Sequence, residues 1–285
     1  NNPLNAPDLE RLRDWEGRGE VRDDVIALAP VQALAATLDH DPEVYVDGEI
    51  LPPLYHWLFF LELTKLGGLA ADGHAEKGGF MPPAPFPRRM FAGARVDYSG
   101  DLRIGEPVRR VSTIAAVRPK ESRAGPVIFV TVAHRVSNES GLQLLEEQDI
   151  AYLPSAATPA SSPATEATVP VADSSREVCP DERMLFRFSA LTFNSHRIHY
   201  DLPYARSEGY PGLVVHGPLT AVFLADLIAR ESGRPRLRHF SFRAKSALFL
   251  GDRITLNSNR VDDGIELAAF NHQGIECVTA KALLR

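Results

Sequence analysis

Between Thr192 and Thr220 the chain reads TFNSHRIHYDLPYARSEGYPGLVVHGPLT, which holds three of its nine histidines, His196, His199 and His216. Histidine is the side chain that both takes and gives a proton near neutral pH. Gly217 follows His216 and precedes Pro218-Leu219-Thr220, the wording of a helix start with proline in its first turn. An amide at such a start has no partner within its own helix and can point at a ligand oxygen. Together His199 and Gly217 are the two groups that adding water to a thioester-conjugated double bond needs. One moves protons, and the other offers an N–H to the oxygen on which charge develops. We read His199 as base toward water and then acid toward Cα; the alternative is a buried histidine satisfied by a backbone carbonyl.

The neighbouring residues are weighed in the same way. Asn194, five residues before His199, stands where a carboxylate would serve. Its amide cannot titrate, but it can both accept from and donate to a water. Its alternative role is an Asx-turn that caps local backbone. Arg197 could grip a substrate carboxylate bidentately, or be a solvated loop arginine. Asp201, just before Leu202-Pro203-Tyr204-Ala205, is expected to N-cap a short helix. A metal held by His196, His199 and His216 is not expected, because the H-x-x-H spacing is loose and no nearby Cys or Glu completes it. Arg230, Arg234, Arg236, Arg238, Arg243 and Lys245 form a basic run that could meet the phosphates of a large anionic ligand, with Arg243 and Lys245 as candidate contacts; charge runs are also commonly just solvated faces.

The elements that must position these groups follow from pattern. Residues 154–180 are rich in Ala, Ser, Thr and Pro without a hydrophobic period and read as an extended surface linker. The flanks echo each other. Arg89 to Val96 resembles Arg238 to Lys245, and Ile104-Gly105-Glu106-Pro107-Val108 resembles Leu250-Gly251-Asp252-Arg253-Ile254. We therefore expect a duplicated α+β unit, residues 1–153 and 181–285. Each unit has a short helix (Val31 to Leu38; Asp181 to Leu191), then a longer apolar helix (Leu54 to Lys65; Leu219 to Arg230) lying across a sheet. Strands are expected at Val127 to Val136, Leu144 to Leu153, Arg253 to Val261, Ile265 to Asn271 and Glu276 to Leu284, with hairpins around Gly141 and Gly274.

Composition sets outer bounds. The 285 residues are 44% hydrophobic, enough for a large core. A net charge of −6 provides no general field for nucleic acid or an anionic membrane, so neither is expected as a partner. The two cysteines, Cys179 and Cys277, have no metal or redox spacing. The first residues lack the apolar core of a signal peptide, and the run near LYHWLFFLEL is too short for a span, so a soluble cytoplasmic protein is expected.

From Phe188 to Asp201 the chain reads F-S-A-L-T-F-N-S-H-R-I-H-Y-D, followed by His216-Gly217-Pro218-Leu219. This resembles the signature of MaoC-like hydratases, F-x-x-L-T-G-D-x-N-P-x-H-x-D and then H-G-x-L. Phe240 to Asp252, FSFRAKSALFLGD, resembles that family's closing-strand motif. The wording TFNSHRIHYD is similar to the branch of hydroxyacyl-thioester dehydratase type 2, mesaconyl-CoA hydratases and itaconyl-CoA hydratases. The resemblance implies a double hot-dog fold, an acyl-CoA thioester substrate, no cofactor, and a homo-oligomer, a dimer of double hot-dogs. It implies that His199 is the catalytic histidine and that the Gly217 N–H polarises the thioester carbonyl. Asn194, His196 and Arg197 depart from the family's aspartate, asparagine and proline, and His196, Arg197 and His216 are expected near the substrate. The first half has Pro52 opposite Gly217 and no histidine matching His199; His56, within the expected helix, reads as a packing or tunnel residue. The first half is therefore expected to complete the sheet and shape the acyl pocket, leaving one active site. The expected reaction is hydration of an enoyl-CoA, foremost a branched C5 dicarboxylic one. Alternatives are a fatty-acyl hydroxyacyl-thioester dehydratase, a thioesterase, or a non-catalytic acyl-CoA-binding module.

Overall fold

A computed structural model describes residues 11–122, 125–154 and 167–285. Ten antiparallel strands form one sheet in the order β1-β3-β4-β5-β2-β7-β10-β9-β8-β6. In the first half these are β1 (Gly19–Val25), β2 (Arg88–Tyr98), β3 (Pro107–Ser122), β4 (Gly125–Asn138) and β5 (Gly141–Leu153). The second half supplies β6 (Ser174–Val178), β7 (Leu237–Ala244), β8 (Ile254–Val261), β9 (Gly264–Phe270) and β10 (Glu276–Leu284). Within each half the edge strand comes first, the seam strand second, and the remaining three run back from edge to seam. The halves thus share one topology and join at β2–β7, where Gly93 faces Arg243 and Val96 faces Phe240. The echo between Arg89–Val96 and Arg238–Lys245 marks these two seam strands. Gly141 and Gly274, both at positive φ, turn the β4–β5 and β9–β10 hairpins.

Helices α1 (Leu28–Thr37) and α2 (Glu182–Leu191) occupy matching places before β2 and β7. Asp181 N-caps α2, its side chain accepting from the Met184 N–H. The short α3 (Leu202–Ser207) precedes the central α4 (Gly217–Ser232), which packs on β2, β8, β9 and β10. Ten consecutive residues of α4, Leu219 to Ile228, are buried, so this helix has no solvent stripe. At roughly 1.5–3 kcal/mol for each large apolar side chain buried, α4 anchors the second half and fixes its own N-terminus.

Two expectations are corrected. No helix runs from Leu54 to Lys65: a 3-10 turn spans Tyr55–Leu58, and Leu54 (φ 68°) and Phe60 (φ 58°) both adopt left-handed backbone. An α-helix cannot pass through such residues. Asp24 Oδ2 takes the Phe60 N–H at 2.6 Å, so β1 holds the chain out of helical form, while Leu54, Tyr55, Leu58, Phe59 and Phe60 are still buried. Apolarity was read correctly as core and incorrectly as helix. The expected linker also ends in structure, because Ser174–Val178 pairs with β8 from Ser258 to Ile254. Residues 155–166 of that linker lie outside the described residues. No helix among the described residues is long and apolar enough to cross a membrane.

Candidate active site

A cavity of about 990 Å³ runs between the halves, and its wall includes His74, Arg89, Asn194, His196, His199 and Gly217. His199 ends a 3-10 turn, Arg197–His199, that leads into α3, whose N-cap is Asp201, accepting from Tyr204 N–H at 3.0 Å. The His199 ring is buried, with Nδ1 2.7 Å from the Val214 carbonyl oxygen. A carbonyl only accepts, so Nδ1 carries the proton and Nε2 of the neutral ring presents a lone pair. Burial lowers the His199 pKa to about 4, against the support of the Val214 carbonyl for the charged form.

His216 is the N-cap residue of α4 and stacks on His199 with ring centroids 3.6 Å apart. Its Nε2 lies 2.8 Å from Ser189 Oγ of α2, and burial holds its pKa well below the ordinary value. Gly217 is the first residue of α4, so its amide lacks a partner in the helix. A Cβ added there would come no nearer than 3.6 Å to the Phe91 oxygen. Gly217 is part of the cavity wall.

Asn194 is placed by the end of α2. Asn194 N–H reaches back to the Ser189 carbonyl at 2.8 Å, and Phe193 sits in the left-handed region at φ 51°. This is a Schellman-type ending with phenylalanine where glycine is usual. Asn194 Oδ1 accepts from the His196 N–H at 3.0 Å. The Asx-turn role thus engages one lone pair of its oxygen, and the amide nitrogen is the donor that it can offer a water in the cavity.

Arg197 does not line the cavity. Its Nε and Nη2 both donate to Asp201 Oδ2, at 3.0 and 2.8 Å, and its Nη1 donates to the Ala71 carbonyl. Its guanidinium carbon lies 4.3 Å from the Tyr204 ring centroid. A fork already engaged in this way cannot also grip a substrate carboxylate, so Arg197 here fastens loop 71–74 to the turn before His199. The basic run is likewise dispersed. Arg230 pairs with Asp226, Arg236 with Asp101 and Lys245 with Glu276. Arg243 and Lys245 are exposed and lie off the cavity wall, whereas their neighbours Ala244 and Ser246 are part of it. Alternation along an extended chain sends the charges outward.

The cavity wall also includes what the sequence reading missed, His74 from the first half, whose ring is held by Asp72. The loop carrying them docks on the second half, with Ser195 Oγ donating to the Gly73 carbonyl and Arg197 N–H donating to the Asp72 carbonyl at 2.9 Å. His74 Nδ1 lies 3.1 Å from Asp72 Oδ2, and the His74 ring centroid is 4.2 Å from that of His196. His196 in turn meets His199 edge-on at 5.5 Å. Burial, then the charges of His74 and His199, lower the His196 pKa to about 2. Burial works against ionisation of Asp72, but the hydrogen bond and charge of His74 outweigh it and hold the carboxyl well below its ordinary range. Asp72, His74 and His196 offer ligand atoms within 4.8 Å of one another, a set able to hold a divalent ion. It differs from the three histidines weighed on spacing. The only signal in sequence was Asp72-Gly73-His74 within a glycine-rich, aperiodic stretch.

The far end of the cavity belongs to the first half. Buried Glu146 accepts from Trp57 Nε1 at 2.7 Å and lies 3.0 Å from His56 Nε2. Burial would raise its pKa, but the charge and hydrogen bond of His56 carry it down to about 2. His56 is thus a partner of a buried carboxylate on a 3-10 turn, and it does line the cavity.

The sequence pattern of hydroxyacyl-thioester dehydratase type 2 matches residues 54–250. A mesaconyl-C(4)-CoA hydratase of Chloroflexus aurantiacus is 47% identical over 269 residues, covering 90% of this chain and 95% of the relative. Among solved structures, a MaoC-like dehydratase from Phytophthora capsici superposes with a TM-score of 0.71 at 12% identity, over 97% of each chain. A Mycobacterium tuberculosis protein described as a double hot-dog superposes at 0.55 with 13% identity, over 95% of this chain and 96% of that one. The two structures establish the fold, an α+β double hot-dog. With the pattern matched across the His199 turn, the whole of α4 and both sides of the cavity, this chain belongs to the hydroxyacyl-thioester dehydratase type 2 family.

Proposed function

We propose that this protein is a hydro-lyase that adds water reversibly to an α,β-unsaturated acyl-CoA, with a branched C5 dicarboxylic enoyl-CoA such as mesaconyl-CoA as its first substrate. The observation that carries the reading is His199 with its Nδ1 fixed on Val214, in one cavity wall with the first residue of α4. His199 Nε2 removes a proton from the attacking water. The Gly217 N–H, at the positive end of α4, takes the enolate oxygen that forms when the double bond's electrons move toward the thioester. The Asn194 amide nitrogen donates to the water that His199 activates. The 47% identity to a mesaconyl-C(4)-CoA hydratase supports the substrate class.

A dicarboxylic chain needs a cation beside the reacting carbons, and with Arg197 engaged elsewhere we assign that role to Arg89. Arg89 lies on the cavity wall, and its charge is felt by both His74 and His196. The first half, through residue 153, then supplies the substrate-shaping wall as well as its half of the sheet.

The test follows mesaconyl-, itaconyl- and crotonyl-CoA side by side by their enoyl-thioester absorbance, with a thiol assay in parallel. Loss of absorbance without thiol release is expected, fastest for a dicarboxylic substrate. Thiol release would make the protein a thioesterase instead. Arg89→Met should erase at least about tenfold of the preference for mesaconyl- over crotonyl-CoA, the scale of one charge-assisted contact. Arg197→Met should leave that ratio unchanged.

A further inference from the structure

Trp57 lies on the cavity wall with a different chemistry on each side of it. On one side its ring meets Phe91 of β2 and Phe242 of β7 edge-on, each at 6.1 Å between centroids. Phe91 and Phe242 are themselves stacked, 5.7 Å apart and 4° from parallel, so the three rings form one cluster across the seam. The Phe91 carbonyl oxygen is also the atom nearest to a Cβ built on Gly217, at 3.6 Å. The ring cluster thus adjoins the amide assigned to the thioester oxygen.

On the other side Trp57 is held by a buried carboxylate. His56 and Trp57 are successive residues of the 3-10 turn Tyr55–Leu58, and Glu146 engages both. Its Oε1 accepts from Trp57 Nε1 at 2.7 Å, and its Oε2 lies 3.0 Å from His56 Nε2. Gln148 Nε2 donates to the same Oε1 at 2.9 Å. Glu146 is only 3% exposed, so losing these donors would strand a charge in the interior. An indole fixed at its N–H and packed on two rings has little freedom to swing aside.

Resting on the hydratase reading, we propose that Trp57 is the residue that limits acyl length, with Glu146 as its positioning residue. The indole ends the part of the cavity next to Gly217, and a short acyl chain fits against it. A longer alkyl chain meets the ring first. Past it stand the carboxylate of Glu146 and the imidazoles of His56 and His134, all on the cavity wall. Methylenes seated there would shield polar groups from water and offer no hydrogen bond in return. The arrangement therefore separates C4 and C5 enoyl-CoAs from fatty-acyl ones.

The full-length protein is assayed with crotonyl-CoA and trans-2-octenoyl-CoA, which differ by four methylenes. The wild type should favour crotonyl-CoA in kcat/KM by about 10²-fold or more, the scale of four methylenes refused a place out of water. Trp57→Ala should narrow that ratio at least about tenfold, chiefly through a lower KM for octenoyl-CoA. Glu146→Ala should narrow it in the same direction, because the indole loses its acceptor. Glu146→Gln should restore the wild-type ratio, because its amide oxygen still accepts from Trp57. A merely structural defect would weaken both substrates alike. A second measurement leaves Trp57 in place. In Trp15→Phe it is the remaining tryptophan, and unreactive butyryl-CoA should quench or shift its emission where CoA alone does not. A folded Trp57→Ala with the wild-type substrate ratio overturns the assignment, and so does emission indifferent to butyryl-CoA. Thiol release, or hydration of neither substrate by the wild type, strikes the hydratase reading instead, while the butyryl-CoA response still tests Trp57 as the end of the acyl site.

Discussion

Neutral imidazoles are costly to keep at acid pH, and this site keeps three of them. Burial depresses the pKa of His199 to about 4 and that of His196 to about 2, and holds His216 well below its ordinary value. Unfolded, each would titrate near 6.5, so between that pH and the folded value the unfolded chain binds more protons. Folding stability from these groups is complete above about pH 6.5 and falls as the pH drops toward 4. At pH 5 holding His199 and His196 neutral costs roughly 2 kcal/mol each. Urea midpoints measured at pH 7.5 and 5 should differ accordingly, and His196→Gln should shrink the difference. A pH-independent midpoint would mean that these rings are not held neutral. At the same scale Asn194→Ala loses both the cap on His196 N–H and the donor to water, and kcat should fall at least about tenfold. A variant near full turnover would leave Asn194 with no part in positioning water.

The elements explain why part of this site was legible and part was not. The α4 start could be read because a helix start has a local grammar, His-Gly-Pro-Leu followed by an apolar run. The seam strands could be read because duplication repeated their wording. The Leu54–Lys65 segment misled because apolar content does not distinguish a helix from an irregular core segment, and the restraint that decides it, Asp24 on the Phe60 N–H, lies 36 residues away in sequence. Loop 71–74 was invisible for a related reason, since its contacts to Ser195 and Arg197 are made across the molecule and leave no period in its own stretch. Its docking can be tested at Gly73. Gly73→Ala would place a methyl on the Ser195 carbonyl and force a left-handed alanine. The loop should lift, and activity should fall by about tenfold or more while far-UV circular dichroism stays that of the wild type. Activity within twofold of wild type would show that the loop's seat is irrelevant to the chemistry.

At the scale of the whole molecule, duplication has been used asymmetrically. The second half has a long helix whose N-terminus is in the cavity wall; among the described residues the first half has no such helix after α1, and it sends loop 71–74 onto the turn that carries His199. The main core cluster draws on both, with Leu54, Leu58 and Val96 packed in one body with Leu219, Phe240 and Leu256. A core shared in this way, crossed by one continuous sheet, should unfold as a unit. Both tryptophans, Trp15 and Trp57, lie in the first half, while His199 and Gly217 lie in the second. Tryptophan fluorescence and residual hydratase activity therefore report opposite halves, and their urea transitions should coincide. The seam offers the perturbation, because a Cβ at Gly93 would come within 2.4 Å of the Phe242 carbonyl oxygen across β2–β7. Gly93→Val should lower both midpoints together. If fluorescence changed while activity persisted, the second half would be holding its site unaided, and the first half would have no part in the chemistry.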